Sequence, residues 1–181
     1  MSTVAAKVID PIRHERLLAD LDNVCDTASI PTSFIRKSMR DDCNAQEIDW
    51  VANFKKHRQD GVAGLMLTGE NTTTRCMLIC AALLRNFIDA RVMLLNNIIN
   101  SSSKTGSEEA EEPTVLIIPN LHFATDGKAY TSWQIQSLHD VLLRRFVTNK
   151  PTVVAFDSLD KLGHSYGLSF LEHLKTNFKQ A

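Results

Sequence analysis

After Gly64 the chain alternates short, largely apolar runs with longer stretches of helical periodicity; the runs are Leu65 to Thr68, Val92 to Leu95, Val115 to Ile118 and Thr152 to Phe156. Such runs predict strands buried on both faces, as in a parallel sheet whose crossover helices cover it above and below. The stretches between them supply those helices. Arg75 to Ile88 is rich in Leu, Ile, Cys and Ala. Thr131-x-x-Gln134 is a capping box ahead of Ile135, Leu138, Val141, Leu142 and Phe146, and Leu168, Leu171 and Leu174 mark a last helix over about 167–178. The class is α/β with a mostly parallel sheet.

The first third of the chain reads differently. Asp10-Pro11 opens a helix, with Asp as N-cap and Pro at the first helical position, and Leu17, Leu18 and Leu21 form its stripe up to about Cys25. Ile30-Pro31-Thr32 breaks it. Asn44-x-x-Glu47 is a second capping box, after which Ile48, Val51 and Phe54 repeat at helical spacing. A chain of 181 residues suits a single domain, with 1–60 as a helical lead-in and 61–181 as the core. Ser101 to Glu112, polar and acidic without periodicity, is expected to be an exposed flexible loop between the second and third strands.

Charge and cysteine usage exclude some classes. Lys plus Arg number 20 against 21 for Asp plus Glu, so no global basic field draws the chain to nucleic acid. Cys25, Cys43, Cys76 and Cys80 contain no Cys-x-x-Cys pair and read as buried reduced thiols rather than metal ligands, which suits a reducing cytoplasm. No run approaches the roughly 18 apolar residues of a membrane span, and the N-terminus has no basic-then-apolar signal pattern.

One motif carries chemistry. A phosphate-binding loop, GxxxxGK[ST], lies between a buried strand and a helix: glycines let backbone amides close around phosphates, Lys neutralises their charge and the hydroxyl holds magnesium. Here that place reads Gly69-Glu-Asn-Thr-Thr-Thr74-Arg75-Cys76. Gly69 fits. Thr74 brings a β-branched side chain where glycine gives room, Arg75 keeps the positive charge in a longer planar group, and Cys76 offers soft sulfur to a hard cation.

The surrounding order carries a resemblance. Ala28-Ser-Ile-Pro-Thr-Ser-Phe34, the capped helix ending in Phe54, and Gly61-x-x-Gly64-Leu-Met-Leu-Thr-Gly69 resemble the lead-in of DnaC/IstB-like P-loop (AAA+) ATPases, the helicase loaders and transposition helpers. Leu116-Ile-Ile-Pro119-Asn120-Leu121 stands where that family has its Walker B strand, and Lys150-Pro-Thr-Val-Val-Ala-Phe156-Asp157 resembles its sensor strand. The resemblance covers roughly 28–175 and implies a three-layer P-loop core with a sheet of four to five strands. Four strands are legible, and the chain ends at Ala181 before the expected place of a fifth.

Carried over residue by residue, the family's chemistry is mostly missing. Pro119 and Asn120 replace the paired acids, Asp157 puts a carboxylate at or beside the sensor position, and His173 stands in the stretch where loaders place an arginine finger. Phosphoryl transfer depends on positioned charge, so the expectation is a pseudo-ATPase with no catalytic residue and no metal site. ATP or ADP enters as an alternative ligand, held by Gly69, Thr74 and Arg75.

Other clusters have ordinary readings beside functional ones. His122, Asp126 and His139 read as surface polar residues rather than an acid–base or metal site, and Ser158, His164 and Ser165 show no nucleophile-elbow pattern. Arg144, Arg145 and Lys150, and Lys55, Lys56 and Arg58, read as solvated helix faces before phosphate contacts. Trp133 and Tyr130 read either as base-stacking groups or as packing anchors. The sequence therefore predicts a catalytically inactive ATPase-like protein, a DNA-replication accessory or regulator working through contact with a replicative helicase or an ATPase-active relative. The alternatives are a nucleotide-binding helicase loader and a DNA-binding transposition helper.

Overall fold

The structure, a computed structural model, describes residues 8–99, 104–121 and 130–181. Five parallel strands form one sheet in the order β2-β3-β4-β1-β5, with β1 Gly64–Leu67, β2 Ala90–Val92, β3 Val115–Ile118, β4 Thr152–Ala155 and β5 Phe178–Gln180. Every residue of β1, β3 and β4 is buried, as their unbroken apolar runs require.

Alternation along the strands sends side chains to two layers. Leu65 and Leu67, with Val115, Ile117, Val153 and Ala155, face α5 (Thr72–Arg85), α1 (Glu15–Ala19), α2 (Leu21–Ala28), α3 (Ala45–Ala52) and α4 (Phe54–Gln59). Met66, Leu116, Ile118 and Val154 face α6 (Leu95–Ile99), α7 (Lys104–Glu111), α8 (Ser132–Val147), α9 (Leu159–Tyr166) and α10 (Leu168–Asn177). Helix α5 is buried nearly all round because the lead-in covers the face turned away from the sheet.

Polar groups fix that lead-in to the core. Asp10 Oδ1 accepts from the amides of Ile12 and Arg13 at 2.9 and 3.2 Å, but it closes a turn rather than capping the expected helix, which begins only at Glu15 with His14 as N-cap and is broken at Asp20 before α2. At the far end of α5, Arg85 Nη1 donates to the carbonyls of Ile35 and Lys37 at 2.9 and 3.2 Å. Both capping boxes are formed, Asn44 with Glu47 on α3 and Thr131 with Gln134 on α8.

Three further expectations are corrected. Residues 104–111 form helix α7 rather than a loop, with Ala110 fully buried; 101–103 lie outside the described residues. Basic groups hold its C-terminus: Lys150 Nζ donates to the carbonyls of Glu111 and Glu112 at 2.6 and 3.1 Å. A fifth strand is present, since β5 pairs with β1 directly after α10. Strand β2 starts earlier than 92 and ends there, because the chain turns at Phe87 (φ 58°) after α5. The turn is a Schellman arrangement: the amides of Phe87 and Ile88 donate to the carbonyls of Leu84 and Leu83 at 2.9 and 3.0 Å.

Among the described residues no helix is long and apolar enough to cross a membrane.

Gly64 sits in a row with Thr152 on one side and Phe178 on the other. A Cβ there would strike the Thr152 carbonyl and stand 2.6 Å from Phe178 Cε1. Gly64→Ala is therefore expected to lower stability by about 2–3 kcal/mol, read from urea unfolding monitored by circular dichroism.

Candidate functional site

The C-terminal ends of neighbouring strands are where an open parallel sheet binds ligands. At that edge β1 presents Thr68 to Asn71, β3 presents Pro119 and Asn120, and β4 presents Phe156 and Asp157. Gly69 takes a φ of +90°, which its lack of a Cβ permits, and Asn71 follows at +55°. Helix α5 then begins at Thr72, so only Glu70 and Asn71 separate Gly69 from the helix. A GxxxxGK loop wraps a phosphate with the residues between its glycines; here Thr74, in place of the second glycine, already lies inside the first helical turn.

Arg75 is the centre of this region. Its guanidinium is buried and makes four hydrogen bonds: Nε donates to Glu47 Oε1 at 2.9 Å, Nη2 donates to the same oxygen, and Nη1 donates to the carbonyls of Thr68 and Glu70 at 2.7 and 3.3 Å. Glu47 has no exposed surface. Its second oxygen, Oε2, accepts from the amide of Asn44 at 3.0 Å, so the carboxylate closes its own helix and holds the arginine as well. A buried pair survives when each charge is matched and each donor and acceptor is met, and this one comes close to that condition.

Magnesium and its nucleotide do not fit the neighbouring groups. Cys76 is fully buried, and desolvation pushes its thiol up to about 12, so no thiolate forms near neutral pH. Cys43, near Glu47, is likewise pushed up to about 12 by burial and by that carboxylate. On the open side Glu70 and Asp157 are exposed acids; Lys161 Nζ pairs with Asp157 at 3.2 Å. Pro119 is buried and supplies no ligand oxygen from its side chain, and the carbonyl of Leu121 accepts from the Tyr166 hydroxyl.

His173 is half-buried on α10 with its ring against His139, Phe146 and Phe178. Desolvation and then His139 lower its pKa, so it sits in the fold as a neutral packing group.

The basic clusters are largely spent inside the fold. Arg145 is buried: Nε donates to Thr152 Oγ1 at 3.0 Å, while Nη1 and Nη2 donate to the carbonyls of Ala110, Pro113, Thr114 and Pro151. Burial lowers its pKa to about 10. Arg144 pairs with Glu111 at 2.8 Å, and Arg58 Nε donates to the carbonyl of Asn149 at 2.9 Å, which leaves Lys55 and Lys56 exposed. Ser158 is a helix cap, its Oγ accepting from the amide of Lys161 at 3.3 Å. Tyr130 lies beside Tyr166, whereas Trp133 is 61% exposed. His122 and Asp126 lie outside the described residues.

The geometry has counterparts among solved structures. DnaI superposes with a TM-score of 0.57 at 15% identity, covering 83% of this chain and 89% of that one. The DnaC helicase loader superposes with a TM-score of 0.57 at 11% identity, over 75% and 84%. The chain shares its α/β fold with DnaI and the DnaC helicase loader. A DNA replication initiation factor matches with a TM-score of 0.60 at 5% identity, and AMPPCP-bound DnaA from Aquifex aeolicus with 0.56 at 7%. The chain spans about half the length of these two, 48% and 49%. No family model matches the sequence, and no curated protein matches it by sequence. In this chain Gly69 opens the turn after β1, and Thr74 and Arg75 lie in the first turn of α5.

Glu47 was legible only as half of a capping box. Its second role had one signal: Glu47, Trp50, Val51 and Phe54 share the buried face of the lead-in at helical spacing, so a carboxylate there must meet a cation. Removing either member leaves the other charge buried alone. Glu47→Met and Arg75→Met are each expected to cost about 3–5 kcal/mol, and the double variant far less than their sum, in a double-mutant cycle by urea denaturation.

Proposed function

We propose that this chain is a catalytically inactive ATPase-like protein that serves DNA replication as an accessory or regulator through protein–protein contacts. The observation that carries this reading is the bonding of Arg75: the cation of the phosphate loop is engaged by Glu47 and by the loop's own carbonyls. The two-residue link between Gly69 and α5, the buried Cys76 and the absence of acids at Pro119 and Asn120 support it. The likeness to DnaI, the DnaC helicase loader and a replication initiation factor supports the replication setting, with a replicative helicase or an ATPase-active relative as partner.

A nucleotide-binding loader is the second reading, because the first-turn amides of α5 have no side-chain cap and point to where phosphate would sit. A DNA-binding helper has less support now that Arg144, Arg145, Lys150 and Arg58 bond within the fold.

Calorimetric titration with MgATP, alongside phosphate release at high protein concentration, separates these readings. The proposal expects no saturable binding up to about 1 mM nucleotide, and a helicase or loader complex of equal affinity with and without ATP. Tight binding with turnover would contradict it.

A further inference from the structure

We propose that Glu47 is the residue that decides what this phosphate loop accepts: its carboxylate serves Arg75 as a built-in anion, holds the loop closed without a ligand and keeps polyphosphate out. This rests on the reading of the chain as an ATPase-like fold without ATP chemistry and names the group that enforces it.

A phosphate loop normally meets its anion from solution. Its lysine finds charge and its backbone finds acceptors only when the ligand arrives, so ligand binding orders the loop. Here both needs are met from within. Glu47 Oε1 accepts from two nitrogens of Arg75, and Nη1 of the same guanidinium ties the carbonyls of Thr68 and Glu70, which flank Gly69. One planar cation therefore staples both sides of the loop to helix α3. A lysine at this position has three donors on one atom and cannot span two carbonyls and a carboxylate in the same plane, so arginine and glutamate work as a pair.

The pair also sets a charge preference. Glu47 is buried and Arg75 nearly so, so the attraction between them acts in a poorly polarisable interior and is not screened by salt. An incoming triphosphate must draw Arg75 out and leave Glu47 buried and unpaired, a cost that falls on the ligand's affinity. The exposed Glu70 at the mouth acts in the same direction.

Hydrogen exchange of the bonded amides of α5 from Arg75, whose amide donates to the carbonyl of Asn71 at 3.0 Å, through Leu78, measured on the full chain by mass spectrometry with inorganic tripolyphosphate as the probe, tests this assignment. In the wild type the segment is expected to be protected and indifferent to tripolyphosphate. Glu47→Gln keeps the size of the side chain and removes its charge; exchange should rise about tenfold or more, and added tripolyphosphate should slow it again. A folded Glu47→Gln with wild-type exchange and no response to the probe would overturn the proposal while leaving the inactive-ATPase reading in place. Binding of MgATP to the wild type would overturn that reading, and the role of Glu47 falls with it only if Glu47→Gln leaves the affinity unchanged. Should Glu47→Gln fail to fold, the double variant Glu47→Met with Arg75→Met carries the test. It should fold, exchange faster than wild type and ignore tripolyphosphate; wild-type exchange in that variant would equally overturn the proposal.

Discussion

A single buried ion pair, Arg75 with Glu47, joins three parts of the molecule. Arg75 belongs to the first turn of α5, Glu47 to the lead-in helix α3, and the carbonyls of Thr68 and Glu70 to the turn that follows strand β1. Because the sheet order places β1 between β4 and β5, whatever fixes the end of β1 also bears on the edge where β4 presents Phe156 and Asp157. The lead-in is held to this edge by the pair and to the opposite end of α5 by Arg85, so α5 is anchored at both ends.

Buried arginine recurs as the chain's way of closing loops. Arg145 gathers four carbonyls around the start of β4 and the turn before β3, with Lys150 beside it on the end of α7. A planar group with five donors satisfies several scattered acceptors at once, which apolar packing cannot do. The consequence for function is that cations counted as surface charge in the sequence are structural in the fold, and the surface offers less to a polyanion than the composition suggests.

The central sheet was legible because burial on both faces leaves an unambiguous mark: Val115 to Ile118 and Thr152 to Ala155 are apolar without interruption. The edge strand β5 left no such mark, since Lys179 and Gln180 are exposed and only Phe178 is buried. Helix α7 was missed for a related reason. Its polar sequence has little periodicity, and its ordering comes from carbonyl contacts with Arg145 and Lys150, more than thirty residues further along the chain. At the loop, the order Gly69 to Arg75 marked the place, but the state of Arg75 depends on a carboxylate 28 residues away, which local pattern cannot reveal.

The most direct measurement is the Nε–H resonance of Arg75 by nitrogen-15 NMR. A guanidinium held by a buried carboxylate exchanges its proton slowly and gives a resolved signal, whereas one that turns toward phosphate changes its shift. The account predicts a resolved Arg75 signal in the ligand-free protein that millimolar MgATP leaves in place. A signal absent without nucleotide, or one that moves and saturates as MgATP is added, would contradict it.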